Sequence, residues 1–446
     1  MILSIVAFLM LVVMTICLLK NKTSPIVAFI IFPFIAVLGV VLFTDTFVSL
    51  GSKSYQVVEV VNWATNGVKL TMNNAILFMF SIIYFGIMNE KGLFDPIISF
   101  LVKYSGKNKI LIYISTALIA LVGQLDGATA TTYLVTIPVM LPIYKKFKMN
   151  ILSMLTIIGG ITGVWNMIPW GGTVIRTSVV LQSFGVEVTP QELWKEVLPL
   201  QIVGSLVVII FAIYFGNKEK RIESLKTVAD EESQGSSNIY KINWLSWGKN
   251  FCLTVITILL MIRFSKIPSY FIFLIATGMA LLLNFSDGKD QVRVIEKNAA
   301  VAFNTAGTFL AAGVFLGIFK ESGMTKSLAD ILIYIFPTIL LPQIGRVLGS
   351  LGSAIGIAFS SDLYYYSFVP VVIESVGNFR ISPKNIALAM LIGQNVGTVI
   401  NPCVPTTFLA IGLAGVELKD HIKFSLKYLL IISFVMVLFG IFLGIL

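Results

Sequence analysis

Three charged residues lie inside apolar stretches of this 446-residue sequence: Asp126, Arg176 and Asp362. A charged side chain in the middle of a membrane costs about 2.5–3.5 kcal/mol on insertion scales, so such a residue is a functional candidate by default. Burial favours the protonated form of a carboxylate, which suits Asp126 and Asp362 to proton or cation coupling. The alternative for either aspartate is a helix cap at the tip of a hairpin.

Arg176 is the candidate for recognising an anion. Its guanidinium is a planar fork of donors that matches a carboxylate. The alternative is an arginine that extends to the membrane interface and serves as an anchor.

Neutral polar side chains surround these charges and are candidate substrate ligands. Hydroxyl and amide groups can bind either an anion or a cation, although for any one of them helix packing is the alternative. The candidates are Thr131, Thr132, Asn166, Thr173, Asn395, Asn401, Thr406 and Thr407.

Two segments, 160–173 and 393–406, are predicted to be transmembrane helices that break in the middle. Glycine, proline and threonine recur in them at matching positions: Gly160, Pro169 and Thr173 in the first, Gly393, Pro402 and Thr406 in the second. An interrupted helix is tolerated in hydrocarbon only where it is buried in protein or lines a cavity. Matching interruptions in two halves of a chain indicate the substrate site of a secondary transporter.

The composition places these segments in a membrane protein. The chain is 57% hydrophobic and 12% charged, whereas a soluble domain has about 25% charged residues. The net charge of +10 does not indicate nucleic-acid binding, because the basic residues lie at the ends of apolar runs. The cysteines (Cys17, Cys252, Cys403) and the single histidine, His421, have no metal-ligand spacing. We therefore expect no metal ligands from the protein itself.

Apolar runs long enough to cross about 30 Å of hydrocarbon define the expected spans. They lie at 2–19, 25–43, 73–89, 151–180, 197–216, 250–263 (short), 267–285, 299–319, 384–414 and 425–444. Residues 110–144 and 345–377 instead predict re-entrant hairpins, with Asp126 and Asp362 near their tips. Residues 93–106 and 324–341 predict amphipathic arms along the membrane surface.

The distribution of basic residues predicts the topology. With the hydrophilic linker 217–248 in the cytoplasm, most lysines and arginines of the loops fall on the inside, and both termini lie outside. Each half then has five spans, one of them broken, plus one hairpin, and this odd count inverts the second half. The expected fold is all-α, with a first repeat at 1–216 and an inverted repeat at 249–446, in a multi-pass protein of the cell membrane.

The sequence resembles the citrate–metal:proton symporter (CitMHS) family, within the ion transporter superfamily. The resemblance extends over most of the chain, and its most specific parts are PWGG…R and VPTTFL–GLAGVEL. The segments that resemble the family are 82–96, 124–146, 166–176 and 401–418. The resemblance implies inverted repeats, two opposed hairpins and two broken helices. It also implies import of citrate complexed with a divalent cation and driven by protons.

One position departs from the family pattern. The first hairpin tip of the family carries two acidic residues, whereas here Asp126 is kept and Ala128 replaces the second one. Metal selectivity, proton coupling or the identity of the anion could therefore differ from the family norm.

The expected function is secondary transport of citrate or a related carboxylate as a divalent-metal complex. A dicarboxylate carrier or an organic-acid:cation antiporter of the same fold is the alternative. Neither H-E-x-x-H, G-x-S-x-G nor a Walker A sequence occurs, which argues against an intramembrane enzyme and an ATP-driven pump.

The expected partners are a carboxylate, protons and lipid, with no nucleic acid and no permanently bound cofactor; a homodimer is left open.

Overall fold

A computed structural model describes residues 2–20, 22–43, 57–224, 244–264, 267–337, 340–379 and 381–446, and in these ranges the chain is helical without strands. The helices of the first half are α1 (Ile2–Leu19), α2 (Pro25–Phe43), α3 (Val57–Glu90), α4 (Asp95–Ser105), α5 (Lys109–Gln124), α6 (Thr129–Lys146), α7 (Ile151–Trp165), α8 (Gly172–Ser183) and α9 (Pro190–Ser224). Those of the second half are α10 (Trp244–Arg263), α11 (Ser269–Asn284), α12 (Gly288–Glu321), α13 (Met324–Ile335), α14 (Ile344–Ser350), α15 (Gly352–Ile355), α16 (Ser361–Leu363), α17 (Val369–Ser375), α18 (Pro383–Gly397), α19 (Pro405–Ala414) and α20 (Leu418–Phe442).

Several of these helices are long and apolar enough to cross a membrane. Among the described residues, α3, α9, α10, α12 and α20 pass this test by length and composition. The pair α18 and α19, bent by 42° at its break, would be a sixth span. The chain is therefore an all-helical, multi-pass membrane protein.

The predicted breaks and hairpins all appear. Helices α5 and α6 form the first hairpin, and α14 to α17 form the second, with a π-helical turn at Tyr364–Phe368. Helices α7 and α8 are the two parts of the first broken helix. Several helices are longer than predicted, and α9 and α10 extend into both ends of the predicted linker, whose residues 225–243 lie outside the described part of the chain.

The helices pack as two bodies. Helices α1–α3 and α10–α12 contact one another and form a body that we call the scaffold. Helices α5–α9 and α14–α20 form the other, which we call the bundle and which contains both hairpins and both broken helices. The arms α4 and α13 pack against the hairpins.

Glycines set the closest contact within the scaffold. A Cβ at Gly67 would lie 1.9 Å from the carbonyl oxygen of Gly313, and one at Gly317 would lie 2.2 Å from that of Trp63. At the other end of the same pair, Lys297 Nζ lies 2.6 Å from the Glu90 carboxylate. The start of α3 thus meets the end of α12, and these equivalent helices of the two halves run antiparallel.

Side chains from neighbouring helices satisfy the backbone carbonyls that the breaks leave free. Gln201 Nε2 on α9 donates to the carbonyls of Val164 (3.0 Å) and Met167 (3.2 Å) at the first break. At the second break, His421 Nε2 lies 3.3 Å from the carbonyl oxygen of Val399. These contacts supply the pairing that a broken helix needs in a membrane.

Candidate functional site

The tip of the first hairpin is a tight turn fixed to the first helix break. Gly127 has φ +78°, a conformation that favours glycine. The Asp126 carboxylate accepts the Ala128 N–H at 2.7 Å and is also hydrogen-bonded by the Thr131 side chain. Trp170, in the break, donates its indole N–H to the carbonyl of Leu125 at 3.0 Å. The tip and the break are therefore held as one unit.

A chain of buried and partly buried amides joins this tip to both broken helices. Thr132 donates to Gln124 Oε1 at 2.7 Å, and Gln124 Nε2 donates to Asn166 Oδ1 at 3.3 Å. Asn166 Nδ2 in turn donates to Asn395 Oδ1 at 3.1 Å, and Asn395 Nδ2 donates to the Gly163 carbonyl at 2.8 Å. The chain crosses from the first half of the sequence to the second.

The second hairpin tip is fixed to the second break in a similar way. Asn401 Nδ2 donates to the carbonyls of Gly356 and Phe359, both at 2.7 Å, and its Oδ1 accepts the Cys403 N–H. Gln394 Nε2 donates to the Ser361 hydroxyl at 3.4 Å, while its buried Oε1 has no hydrogen-bond partner.

Arg176 and Asp362, predicted separately from the sequence, form an ion pair. The Nε and Nη2 atoms of Arg176 lie 2.7 Å and 2.6 Å from the same carboxylate oxygen, Oδ1 of Asp362. The guanidinium carbon lies 5.1 Å from the centre of the Phe309 ring on α12. The pair thus joins the first broken helix, the second hairpin and the scaffold.

The threonines brace the breaks or lie beside them. Thr173, in the first turn of α8, donates to the Asn166 carbonyl at 3.2 Å, back across the first break. Thr407 makes the equivalent contact with the Thr398 carbonyl at 3.3 Å. Thr406 is half-buried at the start of α19.

These contacts bring both hairpin tips and both breaks together. The start of α8 presents free N–H groups beside a guanidinium, and this combination suits a carboxylate. The buried amides and hydroxyls can orient the neutral parts of a polar ligand. Among the described residues, no three His, Cys, Asp or Glu side chains are grouped to hold a metal ion.

Sequence reasoning missed several residues of this arrangement. Gln124 and Gln394 were not predicted as site residues, although each is a polar residue in an apolar stretch next to a predicted one. A polar residue at such a place in an apolar stretch is the sequence signal that could have identified both glutamines. For Trp170 and Gln201, which hold the first break, no comparable signal exists, because tryptophan and glutamine are common at the membrane interface and at helix contacts.

The chain is similar in sequence to known transporters. The model of the CitMHS family, described as a citrate transporter family, matches residues 2–393. The citrate transporter of Bacillus subtilis (strain 168) is 31% identical over 446 residues, which cover 99% of each chain. A Mg²⁺/citrate complex secondary transporter of the same organism is 27% identical over 99% of this chain and 98% of its own.

A solved structure is similar in fold. The crystal structure of the YdaH transporter of Alcanivorax borkumensis, described as having an unusual topology, superposes with a TM-score of 0.67. The match covers 95% of this chain and 99% of that one, at 15% sequence identity. At this identity the likeness concerns the fold alone.

Proposed function

This chain belongs to the citrate transporter family, and from that premise we propose that it imports citrate, or a closely related carboxylate, by proton-coupled symport. As a member of this family it is a transporter and not an enzyme. The observation that supports the proposed substrate most directly is the position of Arg176, beside the free N–H groups at the start of α8 and among the converging tips and breaks.

In the proposed mechanism, a substrate carboxylate binds Arg176 and the start of α8, where the guanidinium and the helix dipole both favour negative charge. Thr173 and the amides of Asn166 and Asn395 orient the rest of the molecule. Asp126 takes up the coupled proton, because the apolar surroundings of the hairpin tip favour the protonated, neutral form of a carboxylate. The bundle then moves against the scaffold and exposes the site on the other side.

We further propose that residues 1–216 and 249–446 are inverted repeats joined by a cytoplasmic linker, with both termini outside. The antiparallel crossing of α3 and α12 supports the inversion. Packing in the two halves also supports the duplication, because the first arm of each hairpin contacts the first part of the following broken helix. Tyr113 on α5 bonds Ser153 on α7, and Ser353 on α15 bonds the Gly393 carbonyl on α18.

The divalent cation is proposed to travel as part of the substrate. One relative is named a Mg²⁺/citrate complex transporter, and citrate can itself supply the hard oxygen ligands that Mg²⁺ prefers. The complex also has less negative charge than free citrate, which lowers the cost of bringing it beside Asp126 and Asp362.

Uptake of labelled citrate into proteoliposomes tests the proposal. We expect accumulation driven by an inward proton gradient, abolished by a protonophore and enhanced by Mg²⁺, Ca²⁺ or another metal in a panel. Uptake that is unchanged by the proton gradient and by the protonophore would rule out proton coupling. Uptake of labelled succinate or malate without uptake of citrate would instead support the dicarboxylate carrier.

Ala128→Asp is expected to sharpen the dependence of uptake on divalent metal. Ala128 is the N-cap residue of α6 and is half-buried, so an aspartate fits there as a helix cap and adds a second carboxylate beside Asp126. The measurement is citrate uptake titrated against several divalent ions. Ala128→Asn is the matched control, because it has the same shape without the charge. A sharply selective, absolute metal requirement in the wild type would mean that selectivity resides elsewhere.

The hairpins are expected to open to opposite sides of the membrane. Lys146 is exposed at the end of α6, and Gly377 is exposed just beyond α17, with no atom within 4 Å of its Cβ position. In a background without Cys17, Cys252 and Cys403, Lys146→Cys should react with an impermeant thiol reagent only from the cytoplasm. Gly377→Cys should react only from outside, and labelling of both from one side would contradict the inverted arrangement.

A further inference from the structure

The ion pair between Arg176 and Asp362 lies where the bundle meets the scaffold. Two donors of the guanidinium converge on one oxygen of Asp362, at 2.7 Å and 2.6 Å, and the two side chains are 16% and 18% exposed. The protein itself thus supplies Arg176 with a counter-ion. The two residues come from opposite halves of the sequence, so the pair also ties the two halves together.

The surroundings of the pair are mostly aromatic. On the scaffold side, the Phe309 ring lies 5.1 Å from the guanidinium carbon, and Phe78 lies against the start of α8 beside it. On the bundle side, Tyr366 packs against Phe309 and Phe29 at ring distances of 6.4 Å and 6.1 Å. An unpaired guanidinium that moves along such a surface would lose water without gaining an equivalent partner.

A symporter must move its site in two states, loaded and empty. In the loaded state, a substrate carboxylate can neutralise Arg176. When the empty carrier returns, the substrate is absent, and the charge of Arg176 must cross the same aromatic boundary. The cycle therefore needs a second carboxylate that pairs with Arg176 only when the site is empty.

We propose that Asp362 is this counter-ion: it pairs with Arg176 in the empty carrier, gives way to a substrate carboxylate on loading, and so permits the empty bundle to return. This inference rests on the proposed function of the site. It gives Asp362 a coupling role that differs from that of Asp126, whose contacts are with its own hairpin.

Asp362→Asn distinguishes movement of the loaded carrier from return of the empty carrier. The amide keeps the size of the side chain and removes its charge. Exchange of external labelled citrate for internal citrate needs only movement of the loaded carrier, and we expect it to be retained. Its apparent affinity for citrate should be tighter, because Asp362 no longer competes for Arg176. Net uptake needs the empty return and should fall by about tenfold or more, because one charge of a largely buried pair is left uncompensated.

Two further variants make the result specific. Asp362→Glu keeps the charge and should preserve net uptake better than the amide does. Asp330→Asn, on the exposed face of the arm α13, should change neither activity. If the amide variant does not fold, Asp362→Ser is a smaller uncharged variant, and it should give the same separation of exchange from net uptake.

Equal loss of exchange and net uptake in the uncharged variants would overturn the inference, since Asp362 would then be needed in the loaded carrier. Unchanged net uptake would overturn it as well. Absence of both citrate exchange and citrate uptake in the wild type is a different result, because it contradicts the proposed substrate and not the role of Asp362.

Discussion

Citrate uptake is expected to fall by about a hundredfold or more in Arg176→Ala, because removing one partner of a buried charged pair costs about 3–5 kcal/mol and each 1.4 kcal/mol is a factor of ten. Two losses combine in this variant. The substrate loses the guanidinium, and Asp362 loses its partner at the aromatic boundary. The measurement is the initial rate of uptake in proteoliposomes, normalised to the amount of inserted protein.

Arg176→Lys separates charge from geometry. Lysine keeps the positive charge but presents a single ammonium in place of the planar fork. Because a two-point hydrogen bond is then replaced by a single point charge, we expect a roughly tenfold weaker apparent affinity for citrate. The protein should still insert and fold, since Asp362 keeps a cationic partner.

Gly172→Ala tests the same geometry without touching the arginine. A Cβ at Gly172 would lie 2.5 Å from Nη1 of Arg176 and 3.5 Å from the Phe78 ring. The flexible end of the arginine must shift, whereas no backbone atom is among the close contacts. We expect weaker affinity with normal insertion, and Gly278→Ala on α11, where the added Cβ meets no atom within 4 Å, is the control. Unchanged affinity in both Gly172→Ala and Arg176→Lys would leave Arg176 as a structural anchor only.

The sequence predicted the breaks and hairpins because their signals are local. Glycine and proline inside an apolar run mark an interruption wherever the rest of the chain lies, as at Pro169 and Gly171 between α7 and α8. The aspartates mark the hairpin tips for the same reason. Such features need no knowledge of tertiary contacts, and they give the outline of the fold.

Helix lengths were underestimated where polar residues continue a helix. Helix α3 begins at Val57, well before the predicted span at 73, and α12 begins at Gly288 and not near 299. The first turns of α3 include the polar residues Glu59, Asn62 and Asn66, and they are helical where α3 packs on α12 through glycines. This packing depends on the contact between Gly67 and Gly313. Because those residues are far apart in the sequence, no local pattern predicts it.

The pairing of site residues could not be predicted for a related reason. Arg176 and Asp362 are 186 positions apart, and nothing local to either residue identifies the other. The sequence therefore assigned the arginine to substrate and the aspartate to coupling as independent residues. Their contact links the two predicted roles: under the mechanism we propose, a substrate carboxylate and Asp362 would compete for one guanidinium.

Asn401→Asp is expected to release the second hairpin from the second break. Asn401 was predicted as a substrate ligand, but its Nδ2 donates to the carbonyls of Gly356 and Phe359, and its Oδ1 accepts the Cys403 N–H. Aspartate has nearly the same shape and keeps the contact with Cys403. Its second oxygen, however, would face two carbonyl oxygens with no hydrogen to donate.

Each buried carbonyl left without a partner costs about 1–3 kcal/mol, so we expect a lower melting temperature and nearly complete loss of citrate uptake. Asn385→Asp in the first turn of α18 is the matched control, because a carboxylate is favourable near a helix N-terminus. A ligand role alone would predict weaker citrate affinity at an unchanged melting temperature. A fall in melting temperature together with loss of uptake would instead show that Asn401 acts by holding the second hairpin tip to the second break.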